Sequence, residues 1–64
     1  MRTMQPNTET RINLTLYDLE CLGFWIEAEE AEGRWQAGQV YNPPYDADLP
    51  FYIRQEIWDI NDRL

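Results

Sequence analysis

The segment covering residues 23–41 constrains the fold more than any other, because it carries the clearest strand–turn–strand pattern in the chain. In residues 24–29 every second side chain is apolar and the others are tryptophan or glutamate, which is the two-residue period of a half-buried strand. Residues 30–33 end in a glycine that suits a turn, and the alternation resumes over residues 34–41. The pattern predicts a β-hairpin with one apolar face and one acidic face.

A further strand is predicted over residues 11–17, where isoleucine and two leucines occupy every second position. The next segment, residues 16–22, leaves two alternatives open. It forms either a short helix that ends just before Gly23, or a turn that leads directly into the hairpin. We favour the strand followed by a short turn or a single helical turn.

The last segment, residues 49–64, has the period of an amphipathic helix. The apolar stripe of this helix consists of Leu49, Ile53, Ile57, Ile60 and Leu64. Phe51 and Trp58 fall on the opposite side, so they either meet a sheet that wraps around the helix or face solvent. Asp59 and Arg63 are four residues apart with the acid first, which predicts an ion pair.

Together these segments predict one α+β domain, a small antiparallel sheet of about three strands with the C-terminal amphipathic helix packed on one face. Residues 10–64 form this domain, and residues 1–9, which are polar and contain a proline, form a flexible arm. A chain of 64 residues has room for one small core and not for a large ligand cavity. The predicted core consists of Ile12, Leu14, Leu16, Phe24, Ile26, Ile53, Ile57 and Ile60.

The residue types present exclude most kinds of catalysis. The chain has no histidine, serine or lysine, which removes histidine bases, serine nucleophiles, Schiff-base lysines and histidine-based metal sites. The acidic run at residues 27–32 lacks the ligand spacing of a calcium loop. We therefore expect no enzymatic activity, no cofactor and no metal. The lone Cys21 fits a reducing compartment, and without an apolar leader or span we expect a cytoplasmic protein.

The charge balance predicts the kind of partner. Twelve acidic residues against five arginines give a net charge of −7, which repels nucleic acid and anionic membranes and attracts basic protein surfaces. The alternative is that this charge serves solubility alone. Aromatic rings beside carboxylates are typical of binding hot spots. The residues predicted to bind a protein partner are Trp25, Glu27, Glu29, Glu30, Glu32, Trp35, Phe51 and Trp58.

The sequence FWIEAEEAEGRW, the loop PPYDADLP and the closing segment IRQEIWDINDRL together resemble the small acidic proteins encoded by bacteriophages and prophages. No fixed motif defines this group, so the resemblance transfers no residue roles. It implies a short sheet with a helix and, in some members, inhibition of CRISPR effectors, restriction systems or polymerases by blocking or imitating nucleic-acid surfaces.

Two functions are therefore predicted. The first is a non-enzymatic, phage-encoded inhibitor in the cytoplasm of the host bacterium, which covers a basic, nucleic-acid-binding surface of a host defence or nucleic-acid-processing protein. The second is a structural or assembly module that forms a homodimer or larger homo-oligomer through Phe51 and Trp58 on the helix.

Overall fold

The structure is a computed structural model that describes residues 6–64, and these residues form three helices joined by loops. Helix α1 covers Pro6–Cys21, α2 covers Trp25–Gln36 and α3 covers Phe51–Arg63. A tight turn joins α1 to α2, and a longer loop, residues 37–50, joins α2 to α3. The bundle is elongated, 35 Å in its longest dimension and 18 Å in the other two.

Helix α1 is the central helix, because both of the other helices pack on it. Its buried side chains recur every three or four residues, so they form one stripe along the helix. The residues of this stripe are Thr8, Ile12, Thr15, Leu16 and Leu19. The stripe includes two threonines, and a threonine hydroxyl is tolerated in a core where it has a hydrogen-bond partner. The hydroxyl of Thr15 donates a hydrogen bond to the Glu56 carboxylate at 3.2 Å.

Helix α2 buries two alanines and a tryptophan. Ala28, Ala31 and Trp35 are spaced by three and four residues, so they share one side of the helix. The small alanines let α2 approach α1 closely, and Trp35, which is 1% exposed, fills the space near the end of the helix. The rest of α2 is rich in glutamate, a strong helix former that stays in water.

Glycines end both α1 and α2 in the same way. Gly23 and Gly38 have φ angles of +90° and +74°, in the left-handed region that glycine adopts without steric cost. At each end, the glycine N–H and the N–H that follows it donate to carbonyls of the last helical turn, at 2.8 to 3.0 Å. This double hydrogen bond is the Schellman motif, which satisfies the last carbonyls and reverses the chain.

Helix α3 packs on α1 through its buried isoleucines and runs antiparallel to it. Two contacts fix this direction. The guanidinium of Arg11 lies 3.4 Å from the carboxylate of Asp59. The hydroxyl of Thr15 lies 3.2 Å from the carboxylate of Glu56. Residue numbers therefore rise along α1 as they fall along α3.

The side chain of Asn61 joins α3 to the end of α2 and to the long loop. Its carboxamide oxygen accepts hydrogen bonds from the indole N–H of Trp35 at 2.9 Å and from the backbone N–H of Tyr41 at 3.0 Å. Its amide group donates to the backbone carbonyl of Tyr41 at 2.8 Å. The buried Tyr41 ring also meets Trp35 edge-on, with ring centroids 6.2 Å apart. One side chain thus holds three parts of the chain together.

The predicted α+β fold is wrong, because residues 6–64 form helices and contain no strand. The strand predicted over residues 11–17 lies inside α1. Most of the predicted hairpin is α2, and its supposed turn at residues 30–33 lies within that helix. In the two short segments 11–17 and 24–29, apolar residues alternate by chance and do not reflect a strand. Over the whole segment, helix-forming alanine and glutamate and the three-to-four-residue spacing of buried side chains decide the structure.

The predicted core is correct in part. Leu14 and Ile26, which a strand would turn inward, are 58% and 69% exposed, because a helix turns Thr15 and Ala31 inward instead. Of the other predicted residues, Phe24 is partly buried against the core and the rest are buried. The core also contains residues that were not predicted, which are Leu19, Ala28, Ala31, Trp35, Tyr41 and Leu49.

The two ends of the chain differ in how well they were predicted. The C-terminal helix is present as α3, and the predicted ion pair between Asp59 and Arg63 is formed at 3.3 Å. For residues 16–22 the favoured strand and turn are wrong. The segment is helical before Gly23, as the alternative predicted, but it is the end of the long helix α1 and not a short separate helix. Of the predicted flexible arm, residues 6–9 belong to α1 and residues 1–5 lie outside the described part of the chain.

Gly33 provides a test that separates the helix from the predicted hairpin. It lies inside α2 without a positive φ, and a Cβ added to it would meet no atom within 4 Å. Gly33→Ala should therefore raise the free energy of unfolding in urea by about 0.5–1 kcal/mol. The matched variant Gly38→Ala also has open space, but its φ of +74° should make it less stable by about 1 kcal/mol. A loss of stability in Gly33→Ala would contradict the helix.

The role of Asn61 predicts a large loss of stability on truncation. Asn61→Ala leaves the buried indole N–H of Trp35 and two backbone groups of Tyr41 without their partner. The free energy of unfolding should fall by about 2–3 kcal/mol, as measured by chemical denaturation. The neighbouring exposed residue provides the control, and Asp62→Ala should change stability by less than about 0.5 kcal/mol. Equal effects of the two variants would refute this role.

Candidate partner-binding surface

The directions of the helices bring one end of each helix together. Both α2 and α3 run antiparallel to α1, so their N-terminal ends lie beside the C-terminal end of α1. The opposite ends meet where Trp35 bonds Asn61. Large apolar side chains remain exposed where the N-terminal ends of α2 and α3 meet α1. We name this surface the aromatic end, and its residues are Tyr17, Leu22, Trp25, Ile26, Phe51 and Tyr52.

The large side chains of the aromatic end are all substantially exposed. Its members range from 46% exposed for Leu22 to 69% for Ile26. Along α3 the surface continues to Trp58, which is 49% exposed and meets Phe51 edge-on with ring centroids 6.3 Å apart. Of the two alternatives for these rings, contact with a sheet or exposure to solvent, exposure is the one found. Adjacent exposed apolar side chains of this kind mark sites of protein contact.

Most of the described arginines lie in the half of the bundle away from the aromatic end. Two arginines pair with Asp59 in the half away from the aromatic end, and Arg34 lies in the last turn of α2. Arg54 is nearer to the aromatic end, but it donates a hydrogen bond to the Ala47 carbonyl at 2.6 Å. The other charged side chains near the aromatic end, among residues 6–64, are carboxylates. They are carried by the end of α1, the first turns of α2 and the loop before α3, and they are Asp18, Glu20, Glu27, Glu29 and Asp48.

The predicted acidic site residues lie around α2 rather than on one face of a strand. Glu27 is half-buried, whereas Glu29, Glu30 and Glu32 are exposed. A helix turns by about 100° per residue, so these four carboxylates point in different directions. Glu27 and Glu29 lie near the start of the helix beside Trp25, while Glu32 lines the groove between α1 and α2. The structure therefore brings only part of the acidic run close to the aromatic end.

The three tryptophans have different surroundings. Trp25 is the first residue of α2 and is 64% exposed. Trp58 is exposed beside Phe51. Trp35 is 1% exposed and uses its indole N–H to bind Asn61, so its ring is a core side chain and not an anchor for a partner. The sequence analysis assigned Trp35 to the binding surface because aromatic rings beside carboxylates are typical of binding hot spots. In the helix, Trp35 instead shares the buried side with Ala28 and Ala31.

Tyr41 is a buried residue whose hydroxyl has no hydrogen-bond partner within residues 6–64. The pKa of Tyr41 is raised from 10.0 to about 12, and burial is the largest cause. The carboxylates of Glu30 and Glu27 contribute to this rise, while the guanidinium of Arg54 lowers the pKa. The phenol therefore lies within electrostatic range of the acidic side of α2 and stays neutral at physiological pH.

Sequence reasoning missed several residues of the aromatic end. Tyr17, Leu22, Ile26 and Tyr52 were assigned to strands, turns or no site. The signal that would have found them is the helical period of α1, because residues three or four apart share a side. With that period, Leu14 and Tyr17 fall opposite the buried stripe of α1 and are exposed.

The described part of the chain carries few of the marks by which a site or a family is usually identified. No helix in residues 6–64 combines the length and the apolar character needed to cross a membrane. Those residues also place no three acidic or cysteine side chains where they could hold a metal ion. No known family, curated protein or solved structure matches this chain. The function is therefore proposed from its own surface and charge.

The raised pKa of Tyr41 predicts how stability changes at high pH. The folded state holds the phenolic proton up to about 12, whereas the unfolded chain releases it near 10.0. The unfolded state therefore binds fewer protons between these values, and the free energy of unfolding should fall as pH rises through this window. Tyr41→Phe should make the fall shallower and should not reduce stability at neutral pH, since it removes an unpaired buried hydroxyl. Denaturation across the pH range measures both.

The control for this pH experiment is the exposed Tyr17. Its hydrogen bond with Cys21 raises the pKa of Tyr17, but the exposed phenol contributes little to the change in stability with pH. Tyr17→Phe should leave the high-pH slope close to that of the wild type. A slope that Tyr41→Phe leaves unaltered would contradict the burial of this phenol.

Proposed function

We propose that this protein is a non-enzymatic, protein-binding inhibitor that attaches through its aromatic end and covers a basic surface of its partner. The partner surface we propose is the nucleic-acid-binding face of a host defence or nucleic-acid-processing protein, with the inhibitor encoded by a bacteriophage or prophage. The observation that supports this best is the joint exposure of aromatic rings and unpaired carboxylates at one end of the bundle.

Charge supports the nature of the partner. The net charge of −7 creates a field that speeds encounter with positively charged surfaces and slows encounter with nucleic acid. Of the four arginines among residues 6–64, three lie in the half of the bundle away from the aromatic end. The fourth, Arg54, keeps its charge, but its guanidinium is directed at the Ala47 carbonyl. A surface that binds phosphates presents the arginines and lysines that these carboxylates would pair with.

Apolar contact supports the stability of the proposed complex. Exposed surface charges in water contribute little affinity by themselves, about 1 kcal/mol or less per pair. Tryptophan and tyrosine contribute more, because they bury a large area with few rotatable bonds. Trp25 and Phe51, which are 64% and 65% exposed, are the proposed anchors. Glu27 and Glu29 are the proposed carboxylates that steer and pair beside Trp25.

Capture from bacterial lysate followed by competition tests the proposed function. The immobilised chain should retain a nucleic-acid-binding protein, and the free chain should compete with nucleic acid for it. Glu29→Gln should weaken the purified complex by about fivefold, and Trp25→Ala should weaken it by about thirtyfold. Glu9→Gln is the matched control, because it removes an exposed carboxylate from the other end of the bundle, and it should change the affinity less than twofold by the same reasoning.

Two outcomes would contradict the proposal. The first is a captured partner that still binds nucleic acid normally in the presence of excess inhibitor. The second is a complex whose affinity does not change with salt, because pairing of exposed charges is screened by ions.

The exposed Phe51 and Trp58 pair favours a second candidate, self-assembly through α3. Light scattering separates the two functions. A homo-oligomer that Trp58→Ala converts to monomers supports assembly, whereas a monomeric wild type leaves this surface for a different protein. The negative charge of each copy opposes self-association at low salt, so a true homodimer should strengthen as salt increases.

A further inference from the structure

Two exposed tryptophans share the same arrangement with a carboxylate. On α2, Glu29 follows Trp25 by four residues, and on α3, Asp62 follows Trp58 by four residues. All four side chains are exposed. Each indole therefore has a carboxylate one helical turn further along the same side of its helix. We refer to each of these as an indole–carboxylate pair.

Helix geometry places the two groups of each pair at one spot. Side chains three or four residues apart on a helix have Cβ atoms about 5–6 Å apart. Every Cα–Cβ bond tilts towards the helix N-terminus, so the indole and the carboxylate lean the same way and stay one helical turn apart on one side of the helix. A flat cationic group that stacks on the indole therefore has the carboxylate within about one helical turn of its edge.

Neither carboxylate is used within the protein. Glu29 and Asp62 take part in no ion pair or hydrogen bond among residues 6–64, whereas the carboxylate of Asp59 holds two arginines at 3.4 and 3.3 Å. The indole faces are also available. Trp25 is 64% exposed, and the edge-on contact of Trp58 with Phe51 occupies at most one face of its indole.

The third tryptophan lacks both properties. Trp35 is 1% exposed and its indole N–H is bound to Asn61. The residue four positions later is Gln39, which is neutral. The combination of an open indole and an unpaired carboxylate is thus confined to the two surface tryptophans, and Trp35 provides an internal reference.

We infer that each indole–carboxylate pair receives an arginine side chain of the partner protein. This inference rests on the proposed function and names the group that the surface recognises. Charge complementarity identifies it as a cation, because the chain carries a net charge of −7. No arginine among residues 6–64 forms an ion pair with Glu29 or Asp62, although Arg34 lines the same surface depression as Glu29. The shape of the pair selects arginine over lysine.

The preference for arginine follows from the chemistry of the two cations. A guanidinium is planar, so it stacks on an indole and at the same time directs two parallel N–H groups at a carboxylate. An ammonium is compact and strongly hydrated, and it satisfies only one of these contacts without losing water. Cation–π contact with tryptophan adds to the difference.

Binding of short cationic peptides to the purified chain tests this inference. The probes are acetyl-tetra-arginine amide and acetyl-tetra-lysine amide, titrated at equal ionic strength. The three tryptophans give three indole N–H signals in a two-dimensional NMR spectrum. The signals of Trp25 and Trp58 should move on titration while that of Trp35 stays in place, and the arginine peptide should bind at least about threefold more tightly than the lysine peptide.

Matched variants assign the effect to each pair. Glu29→Gln should abolish the arginine preference at Trp25 and leave it at Trp58, and Asp62→Asn should do the reverse. Glu30→Gln removes the same charge from α2 without a tryptophan four residues before it, so it should leave both preferences in place. The unchanged Trp35 signal verifies in every variant that the bundle is folded.

The inference is overturned if the two peptides bind equally, if the Trp25 and Trp58 signals do not move, or if Glu30→Gln has the effect expected of Glu29→Gln. These results are independent of the lysate experiment. Equal binding of both peptides together with capture of a basic partner would leave the proposed function in place and remove only the arginine-specific pairs. Selective binding of the arginine peptide with no captured partner would leave the arginine-specific pairs in place and remove the proposed inhibitor function.

Discussion

The carboxamide of Asn61 is the contact on which the shape of this small bundle depends. It binds the indole of Trp35 from α2 and both backbone groups of Tyr41 from the long loop, at 2.8 to 3.0 Å. The two outer helices meet α1 but form few contacts with each other, so this side chain supplies the cross-link that apolar packing does not. A carboxamide suits the position because it is both a donor and an acceptor without carrying charge.

The same cross-link separates the two ends of the bundle in character. At one end, Trp35 and Tyr41 are buried and their polar groups are mostly paired with Asn61. At the aromatic end, the helices begin and end without such a contact, and neither α2 nor α3 has a side-chain cap at its N-terminus. Large apolar side chains at this end are not covered by another helix and remain exposed to solvent. The Asn61 contact and the aromatic end thus lie at opposite ends of one core.

The sequence allowed α3 to be predicted because its evidence was long and consistent. Ile53, Ile57 and Ile60 repeat the helical period over the whole segment, and the same wheel placed Phe51 and Trp58 outside. The first two helices were missed because the apolar residues used to assign each segment were too few to distinguish the two-residue period of a strand from the 3.6-residue period of a helix. Ile12 and Leu16 are inward in a strand and in a helix alike, and only Leu14 and Thr15 distinguish the two. The same error led to Trp35 being assigned to the surface and to three residues of the aromatic end, Tyr17, Leu22 and Ile26, being overlooked.

The sequence by itself determined the chemistry available to this protein, because residue types and net charge do not depend on the fold. A chain without histidine, serine or lysine and with a charge of −7 is limited in its reactions and its partners however it folds. Only the tertiary structure decided which tryptophans are free, which carboxylates lie beside them and which arginines are already bound. Those properties depend on the direction in which each side chain points, and a change of backbone period from two to 3.6 residues redirects nearly all of them.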